Sequence, residues 1–179
     1  MTGKSNVERF EEILAGCMEE LLQEMGRPVE KLTGEHEPLS MRESMTSFCG
    51  FGGTDLRGSI TILGSLPLFS RLHPLPATVT PRDLADWACE FVNQAVGRYR
   101  NRLLAYGVSL APGVPQSALA ENVRLSSHLR HLRPPLCFAI DGLVLETWLE
   151  LSIRPGFTLI ATPADEKAAA LKEGSTLFF

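Results

Sequence analysis

The sequence predicts an α+β domain in which an antiparallel β-sheet packs against long helices. Two observations carry that prediction. Apolar residues recur at three- and four-residue steps over residues 6–25 and 80–106, the period of helices with one buried face. Over residues 45–64 and 135–153 they alternate instead, and the alternating runs are joined through glycine-containing turns, as in β-hairpins. Helix, β-pair, helix, β-pair, with no internal repeat or low-complexity block, is expected to fold as one unit over residues 1–160. Residues 161–179 are expected to form a tail, either a short helix or a frayed end.

Each element has a local cause. Val7, Phe10, Leu14, Cys17, Met18, Leu21 and Met25 form the apolar stripe of the first helix. Ser5 and Glu8 stand at the spacing of a capping box, and Gly26 followed by Pro28 stops the helix. Residues 33–44 are polar and broken by Gly and Pro, hence a loop. "MTSFCGFGG" and "LRGSITILG" make the first hairpin. Three prolines in "LPLFSRLHPLPATV" limit any helix there to a turn or two. Thr80 then caps the long central helix, Pro81 occupies the first helical position, and Asp83 favours the positive end of the dipole. This helix ends at Gly107. A short apolar run, "YGVSLAPGVP", and a polar connector rich in Arg and His lead to the second hairpin, whose Asp141-Gly142 pair suits a type I′ turn.

Composition narrows the function. With 179 residues, 44% hydrophobic and 21% charged, the chain can bury a core without disulfides or a structural metal. A net charge of −4 gives no electrostatic case for nucleic acid or anionic lipid. Cys17, Cys49, Cys89 and Cys137 lie far apart among apolar neighbours, with no C-x-x-C and no histidine at ligand spacing. Buried free thiols in a reducing compartment follow. The N-terminus has acidic residues where a signal peptide needs an apolar core, and no run approaches eighteen apolar residues, so a cytoplasmic protein without a membrane span is expected.

The sequence holds no phosphate-binding G-x-x-x-x-G-K-[ST], no G-x-G-x-x-G, no H-E-x-x-H and no G-x-S-x-G. His128 and His131 lack carboxylate or thiol neighbours and sit between arginines, so no metal site is expected. Cys89 has no base in sight to activate it and reads as a core or half-buried thiol. What stands out is the wet stripe of the central helix, where Asp86, Glu90, Asn93, Gly97 and Asn101 fall together opposite Leu84, Trp87, Ala88, Phe91, Val92, Ala95 and Tyr99. Acidic residues on a solvated helix face are ordinary. An interior glycine is less so, since it costs about 1 kcal/mol against alanine; it suits either a close partner or a neighbouring helix of the same domain.

At these residues the chain resembles the CheX/CheC/FliY family of chemotaxis phosphatases. The family signature places an Asp or Ser, then Glu four residues on, then Asn three further, and a later proline. Asp86, Glu90 and Asn93 match it, Gly97 falls where relatives usually carry glycine, and the order of elements matches over residues 6–155. A single E-x-x-N pair is present, as in CheX, whereas CheC would have two. The resemblance implies a CheC-like fold and dephosphorylation of the phospho-aspartate of a CheY-like receiver domain. Glu90 and Asn93 would be the catalytic pair, and Asp86 and Gly97 would contact the partner. It implies no cofactor of the chain's own, because Mg²⁺ belongs to the receiver. It also implies homodimers paired through β-sheets, for which "GLVLETWLELSI" would serve as an edge, although burial within the monomer explains that strand equally well. The alternative is a domain that keeps the fold without the activity, a scaffold or receiver-binding module.

Overall fold

A computed structural model of the protein describes residues 5–33, 43–75, 79–121 and 135–159. Its elements are α1 (Asn6–Glu24), β1 (Val29–Leu32), β2 (Ser44–Gly52), β3 (Leu56–Ser65), α2 (Leu66–Leu72), α3 (Pro81–Leu104), β4 (Ala111–Pro112), β5 (Gln116–Ala120), β6 (Leu136–Ile140) and β7 (Leu143–Ile153). The tail beyond Leu159 and the Arg- and His-bearing connector, His128 and His131 included, lie outside the described residues.

The helix ends follow the sequence. Ser5 and Glu8 form the expected capping box on α1, and Gly26 leaves the helix with φ of +70°, a conformation that favours glycine. At α3, Thr80 accepts a hydrogen bond from the Asp83 backbone N–H while the Asp83 carboxylate accepts from the Thr80 backbone N–H at 2.8 Å. Asp83 is therefore half of a second capping box as well as a charge near the dipole. The two-turn α2 is capped by Ser65 and has Pro67 in its first turn.

All the pairings are antiparallel, in one seven-stranded sheet ordered β1-β6-β7-β3-β2-β4, with β5 also on β2. Both hairpins form, and Asp141 (φ 50°) and Gly142 (φ 76°) turn the second as a type I′ pair must. Three strands had not been anticipated. β1 is four residues with two charges, and β4 and β5 lie in a segment broken by Pro112, Gly113 and Pro115. All three lie at the sheet's edges, where short, charged or proline-containing strands are tolerated. The Ser47 hydroxyl donates to Gln116 O at 3.0 Å and the Ser44 hydroxyl to Ala120 O at 3.1 Å, tying β5 to its neighbour. β7, considered above as a dimer edge, lies between β6 and β3 in the sheet order, hydrogen-bonded to β6 over Leu143–Thr147 and to β3 over Glu146–Ile153, so that Glu146 and Thr147 are paired on both sides.

The helices cover the sheet face formed by Met45, Cys49, Phe51, Ile60, Ile62, Phe138, Ile140 and Leu145, all in one core with Phe10, Leu14 and Met18 of α1 and Phe91, Ala95 and Tyr99 of α3. Alternation along each strand puts these residues on a single side. Tyr99 seats α3 on β2 with its ring 5.7 Å from that of Phe51. Beside it, α1 is joined to α3 at the surface by ion pairs of Arg98 with Glu24 and Arg102 with Glu20.

Candidate functional site

The outer face of α3 is the candidate site. Leu84, Ala88, Phe91, Val92, Ala95, Val96, Tyr99 and Leu103 are buried, and Trp87 is half-buried against His73 with ring centroids 5.7 Å apart. Burial of that face leaves one direction open, and Asp86, Glu90, Asn93 and Asn101 are exposed along it. The sheet thus fixes the helix's rotation, and the rotation aims these side chains.

Glu90 and Asn93 stand three residues apart, hence neighbours on the helix surface. Among the described residues, Asp86 and Asn93 make no hydrogen bond or ion pair, so the Asn93 amide keeps its donors and its acceptor for another molecule. Glu90 accepts a hydrogen bond from Gln94 Nε2 at 2.8 Å through Oε1. Gly97 has open space where a side chain would begin, with nothing within 4 Å of an added Cβ. Among the described residues, no other helix packs closely against that glycine.

Cys17, Cys49 and Cys137 are buried free thiols and Cys89 is half-buried, as expected. Burial pushes the Cys137 thiol up to about 11, and burial likewise raises Cys49. Tyr99, whose hydroxyl is buried without a partner among the described residues, is raised well above its usual range by desolvation. Among the described residues no cluster of three or more His, Cys, Asp or Glu side chains could hold a metal ion. No helix among them is long and apolar enough to cross a membrane. A shallow cavity of about 250 Å³ lies between α1 and α3, lined by Arg9, Glu12, Gly16, Arg102 and Tyr106 among others.

No protein-family model matches the sequence, and no curated protein matches it. Solved structures do match. The chemotaxis protein CheX from Vibrio vulnificus superposes with a TM-score of 0.69 at 13% identity, over 80% of this chain and 99% of that one. A CheC-like chemotactic protein from Shewanella oneidensis MR-1 gives 0.66 at 12% identity, over 82% of this chain and 97% of that one. This chain has the CheC-like fold. A third CheC-like structure, the CheX–CheY–BeF₃–Mg²⁺ complex from Borrelia burgdorferi, matches with a TM-score of 0.57 at 15% identity, over 82% of this chain and 97% of that one. The α+β class and the antiparallel sheet read from the sequence are those of the CheC-like fold.

Gln94 was missed at the sequence level. It lies just beside the polar stripe, and four-residue spacing from Glu90 was its only signal.

Proposed function

We propose that this chain is a phosphatase that removes the phosphoryl group from the aspartate of a CheY-like receiver domain in the cytoplasm. The observation that carries the reading is the placement of Glu90 and Asn93, exposed side by side on α3 of a CheC-like fold. That a CheX of this fold occurs in complex with CheY, BeF₃ and Mg²⁺ supports the choice of partner.

The chemistry asks little of the chain. An acyl phosphate is intrinsically labile, and the receiver brings its own Mg²⁺ and lysine, so the helper has to place one water in line with the scissile P–O bond. The water oxygen bonds to phosphorus as the P–O bond to the aspartate breaks. Its electron pair leaves with the carboxylate, and the proton goes to the released phosphate. Asn93 orients that water: its amide offers donor and acceptor without a charge to repel the phosphoryl group. Glu90, less than one turn back, pairs with the receiver's lysine and so fixes the depth of insertion. Asp86 and Gly97 contact the rim, with Gly97 keeping the helix surface low where the receiver's loops approach.

Incubation with a phosphorylated CheY-like receiver and Mg²⁺ tests the reading. Faster phosphate release than from the receiver alone supports it. Binding without acceleration would make the chain a receiver-binding scaffold and overturn it.

A further inference from the structure

Glu90 is the residue asked to enter a partner, yet a long carboxylate side chain free in water samples many rotamers and must lose them on binding. Gln94 Nε2 donates to Glu90 Oε1 at 2.8 Å, one turn further along α3. Among the described residues nothing else bonds the Glu90 carboxylate, so its second oxygen remains open. The residues at the next two four-residue steps, Arg98 and Arg102, form ion pairs with Glu24 and Glu20 of α1. Position 94 breaks that basic series with a neutral amide. An arginine there would stand at ion-pairing distance along the helix and neutralise Glu90. The amide holds the carboxylate without neutralising it.

We infer that Gln94 is a positioning residue that pre-orders Glu90 for a cationic group of the partner, occupying one carboxylate oxygen and leaving the charge and the other oxygen available. The inference rests on the phosphatase reading and concerns how the receiver is held, not how water is aimed. It predicts a binding effect transmitted entirely through Glu90. An exposed contact at this spacing can offset the cost of ordering the side chain by a factor of about two in affinity.

The test is a cycle of Gln94→Met, which keeps length and helix preference but removes the donor, Glu90→Ala, and the double variant. KM and kcat are measured on a phosphorylated CheY-like receiver with Mg²⁺, and Kd on the same receiver treated with beryllofluoride. Gln94→Met is expected to raise KM and Kd about twofold, with kcat and Tm unchanged. In the Glu90→Ala background the same substitution is expected to leave KM unchanged. An unaltered KM in Gln94→Met, or an equal rise in both backgrounds, overturns the role of Gln94 while the phosphatase reading stands. A native chain that does not accelerate dephosphorylation at all overturns that reading, and this inference with it.

Discussion

Glu90 and Asn93 are exposed on the same side of α3, while the two residues between them, Phe91 and Val92, are fully buried. The pair therefore cannot turn inward without unseating the helix from the sheet. Its outward aim is set by the core, not by contacts between the two side chains. Substitutions at positions 90 and 93 should accordingly change function with little effect on stability. Glu90→Ala and Asn93→Ala are each expected to shift unfolding free energy by less than about 0.5 kcal/mol in urea titrations, the usual range for exposed sites.

Gly97 behaves differently because, among the described residues, none outside its own helix stands within 4 Å of an added Cβ. Gly97→Ala is expected to stabilise the protein by about 1 kcal/mol, the helix-propensity difference, seen as a higher Tm. Gly97→Leu keeps the helix and raises its surface. Its KM for a phosphorylated receiver is expected to rise with kcat little changed.

The start of α3 depends on Thr80 and Asp83. Thr80→Ala removes the cap that accepts from the Asp83 N–H and is expected to cost about 1 kcal/mol in denaturant unfolding. Hydrogen bonds from the Thr80 side chain and backbone lower the Asp83 pKa. A depressed folded-state carboxyl stabilises above its unfolded pKa of about 4, and that contribution disappears as pH falls through the folded value. Asp83→Asn is thus expected to narrow the difference in stability between pH 6 and pH 3, measured by thermal unfolding at each pH.

The four thiols should separate by reactivity. Cys17, Cys49 and Cys137 are buried, and burial raises the last two, so little thiolate is present at pH 8. Cys89, half-buried on α3, is expected to be alkylated first by iodoacetamide in the folded protein, with the site located by peptide mass mapping. Modification of Cys137 ahead of Cys89 would contradict the packing of β6.

Much of this architecture is legible because it is locally encoded. Ser5 with Glu8, Thr80 with Pro81, and Asp141 with Gly142 each fix an element boundary through backbone chemistry that neighbouring residues decide among themselves. The aim of Glu90 and Asn93 is legible for a related reason, since a 3.6-residue period says which residues share a face. β1, β4 and β5 are not legible. Their residues are charged, proline-broken or few, and they become strands because β6 and β2 offer unpaired edges. The inner position of β7 is likewise hidden, since its alternation suits an edge as well as a middle strand. The Gln94–Glu90 contact depends on side-chain rotamers, which no periodicity reports.

Asn93→Ala offers the most direct measurement, read as two numbers on one receiver. Its Kd for the beryllofluoride-treated receiver is expected to stay within about threefold of native. Its maximal rate of dephosphorylation is expected to fall about a hundredfold, the scale of a lost positioning contact. A variant that dephosphorylates every CheY-like receiver as fast as the native chain would contradict the assignment of Asn93 to the attacking water.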